Sequence, residues 1–313
     1  MWFVFSLICT ICWGCADIFY KKGSSENQQY SHLKIAVWVG LVMGVCSTLL
    51  AIVFRKFTDL PTFFGVVASY LPASLGYILS MVIGYAGMRY LEISVISPVQ
   101  NSSGALSMLG ILFWLMLTKN IGNLWEEISL IELIGTALIV FGVIFLGVCE
   151  NKYIKESDDS HRYGALALIF PILYCVFDTI GTTADGIILD GSSSLNLDEI
   201  DVLIVYGYTF LMAGIVAYLY MLIRSKIFYN PFEKGEMPKM TAALCEEAGQ
   251  FFYVYAFSGR AVIAAPMISS YCIISVILSR IFLKEKLYGG RLVSVCTVIG
   301  GIFLLGVAEG LAG

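Results

Sequence analysis

The sequence predicts an all-α integral membrane protein with ten transmembrane helices, arranged as two inverted five-helix repeats. Three observations carry this prediction: the composition, the length of the apolar runs and a weak internal similarity. Of the 313 residues, 58% are hydrophobic and only 13% are charged, whereas soluble domains carry about a quarter charged residues. The net charge of −4, with no face rich in lysine and arginine, also argues against nucleic acid as a partner.

Ten apolar runs have lengths near the roughly 20 residues that a membrane-spanning helix requires. The predicted spans are Trp2–Tyr20, His32–Phe54, Phe63–Met88, Ile93–Leu117, Ile128–Val148, Tyr163–Leu189, Val202–Ile223, Met240–Phe257, Val262–Leu283 and Arg291–Ala308. A strongly polar stretch, 150–162, separates five spans from five. We therefore predict a first repeat over 1–149, a connecting loop over 150–162 and a second repeat over 163–313.

Internal similarity relates the two halves in three places. The aligned segments are Leu7–Asp17 with Leu168–Asp178, Glu92–Ser103 with Arg260–Tyr271, and Glu132–Gly147 with Arg291–Gly306. Each alignment is weak, but the three pairs follow the same order along the chain. Because five spans cross the membrane an odd number of times, the second repeat enters from the opposite side. The repeats are thus predicted to be inverted, with their interface near the membrane midplane.

Basic residues predict the orientation of the chain. Loops after odd-numbered spans contain 15 of the 19 lysine and arginine residues, and the opposite side contains only four. Since cytoplasmic loops carry the excess of basic residues, this distribution places both termini outside.

Cysteine and histidine offer little for metal or cofactor chemistry. Nearly all of the nine cysteines lie within apolar runs, where a thiol behaves as a small hydrophobic group. The spacing of Cys9, Cys12 and Cys15 marks one apolar helix stripe, and no second pair or histidine cluster completes a zinc site. With only two histidines in the chain, we expect no metal and no cofactor.

Acidic residues inside spans are the strongest functional signal, because charge within a bilayer is costly. Four such residues are predicted to couple proton movement: Asp17, Asp178, Glu246 and Glu247. Asp17 has an alternative, an interfacial pair with Lys21 one helical turn away. Asp185 lies near a predicted helix end, where an interfacial position is favoured.

Helical spacing places three of these acids beside aromatic and polar side chains. One face of the first span combines Trp13 with Asp17, and one face of the sixth combines Tyr174 with Asp178. A carboxylate beside aromatic rings suits a cation, and in a desolvated site it can exchange that cation for a proton. The predicted substrate-binding residues are Trp13, Asp17, Tyr174, Asp178, Glu246, Gln250, Tyr253, Asn101, Ser102, Ser270 and Tyr271.

Two prolines mark further candidate positions in the fourth and ninth spans. Pro98 and Pro266 each precede a polar run, Gln100–Ser103 and Ser269–Tyr271 respectively. A proline within a span frees a backbone carbonyl, so it is typical of a kink that lines a cavity. The alternative is close helix packing through small hydroxyl residues.

These residues resemble the drug/metabolite transporter superfamily, in particular its ten-helix members built from two EamA-type repeats. The shared features are Trp13-Gly14 in the first span, Ser97-Pro98 and Ala265-Pro266, the L-x-E-K-L pattern over 283–287, and the glycine-spaced fifth and tenth spans. The chain departs from the pattern at 117–120, where Leu-Thr-Lys-Asn replaces Gly-Glu. The resemblance implies a central cavity between the halves, alternating access, and small metabolites or drugs as substrates. It also implies cytoplasmic termini, opposite to the orientation that the basic residues predict.

The predicted function is secondary active transport of a small organic cation or amine-bearing metabolite, coupled to protons, in the cell membrane. The expected partners are this substrate, protons and the lipid bilayer, and the chain is expected to act as a monomer or homodimer and not as an enzyme. The alternatives are export of neutral or zwitterionic metabolites, such as amino acids or purines, and a lipid-carrier flippase. An intramembrane aspartyl hydrolase using Asp17 and Asp178 is disfavoured because neither is preceded by Gly-x-Gly.

Overall fold

The computed structural model describes residues 1–24, 30–56, 59–91, 93–118, 128–156, 165–189, 197–226, 228–284 and 289–312. Within these ranges the chain forms helices and no strand. The α-helices are α1 (Trp2–Gly23), α2 (Ser31–Phe54), α3 (Leu60–Gly87), α4 (Ile93–Gln100), α5 (Ser103–Thr118), α6 (Leu130–Glu156), α7 (Ile169–Leu189), α8 (Glu199–Ser225), α9 (Met237–Ser269), α10 (Tyr271–Phe282) and α11 (Gly289–Ala312). Short 3-10 turns at Ala165–Leu168 and Lys234–Glu236 precede α7 and α9.

The helices confirm an all-α, multi-pass membrane protein. In the described ranges, eight helical stretches are long and apolar enough to cross a membrane, and Leu130–Leu146 is a shorter apolar helix. One of the eight, Met237–Phe282, contains 46 residues, which is about twice the length of a single span. The total of ten spans and the inversion of the repeats stay predictions.

The predicted fourth span, Ile93–Leu117, is divided into α4 and α5. Because Pro98 has no N–H group to donate, it removes one helical hydrogen bond, and α4 ends two residues later. At the break, the Asn101 side chain donates to the carbonyl of Ser97 (2.7 Å), and the Ser102 hydroxyl donates to the carbonyl of Pro98 (3.1 Å). Side chains therefore satisfy carbonyl groups at the helix break.

The predicted eighth and ninth spans are contained in α9 and α10. Arg260 has non-helical torsion angles (φ −155°, ψ 70°) within α9, close to the predicted boundary. A second break follows Pro266, where the Ser270 hydroxyl donates to the carbonyl of Met267 at 2.6 Å. Arg260 also forms an ion pair with Glu132 at the start of α6. A break thus follows each of the two prolines that the sequence singled out.

Helices from the two halves pack in matching pairs. The most extensive contacts join α1 with α9, α3 with α7, α2 with α8, and α6 with α11. In the predicted duplication, α1 and α3 of the first half correspond to α7 and α9 of the second half. The α1–α9 pair therefore corresponds to the α7–α3 pair, whereas α2–α8 and α6–α11 each join two corresponding helices. An inverted duplication requires this pattern, although the duplication itself stays a prediction.

Charged groups connect the helix ends on both sides of the bundle. Before α9, the buried Glu236 carboxylate accepts hydrogen bonds from Lys239 (2.6 Å) and Tyr229 (3.0 Å), and Lys34 of α2 lies 3.6 Å away. At the opposite end of α8, Lys56 is 2.6 Å from Asp198, and this hydrogen bond raises the pKa of the lysine. The loops are thus anchored where polar groups are expected to meet water.

The α3–α7 contact depends on glycine. A Cβ atom on Gly76 would lie 2.8 Å from the backbone nitrogen of Gly181 and 2.9 Å from the carbonyl oxygen of Phe177. The two backbones therefore touch directly, as small residues allow in membrane helix pairs. This contact holds α7, with its buried acids, against α3.

We expect Gly76→Ala to destabilise the protein by about 1–3 kcal/mol, because the new methyl group would overpack the contact with α7. The matched control is Gly65→Ala in the same helix, where an added Cβ meets no atom within 4 Å. That substitution is expected to be neutral or slightly stabilising, since alanine favours helix over glycine. Thermal unfolding in detergent compares the two variants, and equal midpoints would contradict the close α3–α7 contact.

Candidate functional site

Three of the four predicted coupling acids lie in the interior of the helix bundle. Asp17 of α1, Asp178 of α7 and Glu246 of α9 expose 5%, 8% and 4% of their surface. Glu247 is only partly buried and forms a hydrogen bond with Cys46 of α2. The interior thus contains acids from both halves of the chain.

Asp17 and Glu246 line the same narrow cavity, which is called here the first cavity. One oxygen of Asp17 accepts hydrogen bonds from Ser97 (2.8 Å) and Ser275 (2.7 Å). Glu246 accepts one from Tyr20 at 3.3 Å. The lining residues are Trp13, Asp17, Tyr20, Tyr77, Met81, Gly84, Tyr85, Met88, Gln100, Tyr174, Glu246 and Tyr271.

Asp178 lines a second cavity, where it accepts a hydrogen bond from Ser103 at 2.5 Å. Polar and aromatic residues surround it. The lining residues are Trp13, Tyr77, Asn101, Tyr174, Asp178, Thr182, Tyr253, Phe257, Ala265, Ile268, Ser269 and Tyr271. Among the described residues that line the two cavities, none is lysine, arginine or histidine.

Four aromatic residues line both cavities and form what we call the aromatic wall: Trp13, Tyr77, Tyr174 and Tyr271. The Trp13 ring centroid lies 6.1 Å from that of Tyr77 and 5.8 Å from that of Tyr271. The Trp13 indole donates a hydrogen bond to the backbone carbonyl of Glu246 at 3.2 Å. The wall is therefore connected to the helix that carries Glu246.

A fourth acid, Asp185, is completely buried in the structure. The sequence had instead favoured an interfacial position for this residue. Its carboxylate accepts hydrogen bonds from Tyr70, from Tyr206 (3.3 Å) and from Tyr253 (3.0 Å). Asp185 follows Asp178 by about two helical turns and so shares its helix face, and this spacing was the available signal. The tyrosine donors come from α3, α8 and α9, so their convergence could not be read from one helix.

The structure separates the remaining predicted residues. Tyr174, Asn101, Tyr253 and Tyr271 line one or both cavities. Ser102 lines a different cavity, and the Ser270 hydroxyl donates to the carbonyl of Met267 at the helix break. Gln250 is buried but does not line either acid-containing cavity, and neither polar atom of its amide has a partner among the described residues.

One further residue completes the description of the first cavity. Gln100, which was not among the predicted site residues, lines it beside Asp17 and Glu246; its place in the polar run after Pro98 was the available signal.

Lys21 donates hydrogen bonds to the carbonyls of Met88 and Leu91, both at 2.7 Å. Among the described residues, no group of three histidine, cysteine, aspartate or glutamate side chains is placed to hold a metal ion.

Comparison with known proteins supports a transporter. The model of the EamA-like transporter family matches residues 192–307. No curated protein matches the sequence. A solved crystal structure, described only as "Crystal structure of protein", has a TM-score of 0.63 and 10% identity, covering 99% of this chain and 98% of the other. At that identity the likeness shows the fold alone. The family match confirms, over residues 192–307, the predicted resemblance to the drug/metabolite transporter superfamily, and it indicates a membrane transporter of that type.

Proposed function

We propose that this chain is a proton-coupled secondary transporter of a small organic cation or amine-bearing metabolite, working by alternating access in the cell membrane as a monomer or homodimer. The observation that supports this function is the first cavity. It brings Asp17 and Glu246 together inside an aromatic enclosure, and its described lining contains no basic side chain.

Charge balance favours a cationic cargo. Two ionised carboxylates in a buried cavity are costly unless opposite charge compensates them. The hydrogen bonds from Ser97, Ser275 and Tyr20 supply dipoles and no full positive charge. Compensation must therefore come from protons or from a bound cation, and the exchange of one for the other is the physical basis of coupling.

The aromatic side chains add affinity for an organic cation. Six of the residues that line the first cavity are aromatic. A desolvated cation over an aromatic face gains up to about 2 kcal/mol from cation–π attraction. A substituted amine can use both the rings and the carboxylates, whereas a strongly hydrated inorganic cation uses the rings poorly.

The second cavity provides a place for the cargo on the other side of the aromatic wall. Asp178 lies there, and the internal similarity pairs it with Asp17 of the first cavity. We propose that Glu246, Asp17 and Asp178 exchange protons for the cargo as the wall opens toward one cavity and then the other. Glu247 lines neither cavity, so we assign it a secondary role in coupling.

The charge of the lining argues against the zwitterionic alternative. The carboxylate of an amino acid would lie among Asp17, Glu246 and Asp178 without a basic partner in either described lining. Like charges in a low-dielectric site repel strongly. A cationic substrate therefore fits better than a zwitterionic one.

We expect Asp17→Asn and Glu246→Gln each to weaken binding of pentyltrimethylammonium by about tenfold or more, the effect of losing a charge-assisted interaction. The matched control is Asp185→Asn, because Asp185 lines neither cavity and its carboxylate is engaged by three tyrosines. It should retain binding within about threefold while lowering stability. Calorimetric titration of purified protein measures the affinities. Wild-type affinity in both cavity variants, or an equal loss in the control, would contradict the assignment.

Proton coupling predicts that cation affinity falls as the pH is lowered, because a proton neutralises the carboxylate that the cation needs. For a one-for-one exchange the affinity should change by up to about tenfold per pH unit. Cation binding in weakly buffered solution should also release about one proton, which a pH indicator detects. The triple variant Asp17→Asn/Asp178→Asn/Glu246→Gln is expected to release none. Affinity independent of pH in the wild-type protein would show that transport is not coupled to protons through these acids.

A further inference from the structure

The side-chain amide of Gln100 is a buried donor without a partner. Gln100 ends α4 and exposes only 2% of its surface. Its Nε2 atom has no hydrogen-bond partner among the described residues, and the side chain lines the first cavity. Buried polar groups in folded proteins are nearly always paired, so an unpaired donor on a residue that lines a cavity is a candidate contact for a ligand.

Gly84 of α3 lets this amide pack closely against its helix. A Cβ atom on Gly84 would lie 2.9 Å from Nε2 of Gln100 and 2.7 Å from Cδ2 of the Tyr174 ring. Any larger side chain would therefore displace both groups. The close approach of α3 leaves the amide donor and the aromatic ring facing the cavity that contains the two acids.

An amide NH₂ group only donates hydrogen bonds, so its complement is an acceptor atom on the ligand. Asp17 and Glu246 line the same cavity and would repel an anionic acceptor such as a carboxylate or phosphate. The complementary atom is therefore a neutral oxygen, of the kind found in esters, amides and ethers.

We infer that Gln100 is a specificity-determining residue that binds a neutral oxygen of the substrate, so that the cargo is an organic cation that also carries an ester, amide or ether group. This inference rests on the proposed cation transport and narrows its substrate class. The cationic end is held by the acids and the aromatic rings, and the oxygen is held by Nε2 of Gln100.

Three probes of similar size separate the two halves of this recognition. Acetylcholine carries a cation and an ester, pentyltrimethylammonium carries the cation alone, and 3,3-dimethylbutyl acetate carries the ester alone. Binding of each probe to the purified full-length protein is measured by calorimetric titration in detergent. One neutral hydrogen bond should make acetylcholine bind about fivefold more tightly than pentyltrimethylammonium.

Gln100→Leu removes the donor while keeping the side-chain size close. We expect it to abolish the preference for acetylcholine, so that the ratio of its affinity to that for pentyltrimethylammonium falls to about one. Gly84→Ala should weaken binding of acetylcholine, because the methyl group occupies the space beside the amide. The matched control is Ser107→Ala, which removes a buried hydroxyl that has no partner among the described residues and lies outside both cavities. It should keep the full preference, and size-exclusion profiles confirm that each variant is folded.

The outcomes separate this inference from the proposed function. Equal affinity of the wild-type protein for the two cations, or a preference that survives in Gln100→Leu, overturns the role of Gln100 and leaves cation transport standing. If the neutral ester is the one probe that binds, and Gln100→Leu abolishes its binding, cation transport is overturned and the amide is supported as a hydrogen-bond donor to oxygen. Absence of binding by all three probes overturns both.

Discussion

The structure depends on one constraint: a carboxylate buried within a membrane-spanning bundle must find hydrogen-bond donors inside the protein, since lipid offers none. The donors to the buried aspartates come from helices other than their own. Asp17 of α1 is bound by Ser97 of α4 and Ser275 of α10, and Asp178 of α7 is bound by Ser103 of α5. Each acid therefore fixes the relative position of helices that lie far apart in the sequence.

The buried acids differ in whether their carboxyl groups line a cavity. Asp185 receives three tyrosine hydroxyls and lines neither cavity, so its environment is complete without cargo. Asp17 and Glu246 are also hydrogen-bonded, but both line the first cavity with its aromatic side chains. The first arrangement is complete within the protein, whereas the second leaves two carboxyl groups facing a cavity. This difference is the physical reason for assigning structure to one carboxylate and exchange to the others.

The sequence was sufficient to predict the helical membrane fold and the burial of Asp17, Asp178 and Glu246, because hydropathy and the cost of charge in lipid act residue by residue. It did not predict that three tyrosines surround Asp185 or that Gln100 lines the first cavity. Helical periodicity assigns a residue to a face of its own helix, but partners on other helices and the depth of a side chain depend on how the helices pack. Pro98 predicted a kink in the fourth span, but the sequence did not show that the helix would divide between Gln100 and Ser103.

The break between α4 and α5 connects the hydrogen-bonding surroundings of Asp17 and Asp178. Four polar residues around the break are divided between the cavities: Ser97 binds Asp17 and Gln100 lines the first cavity, while Asn101 lines the second and Ser103 binds Asp178. The break is thus the point where the donors of one acid give way to the donors of the other. A change in the angle between α4 and α5 would alter the hydrogen bonds of both acids together, because Ser97 and Ser103 lie on opposite sides of the same break. Proline at this position therefore does more than interrupt a helix: it places the donors to two buried acids on either side of one break.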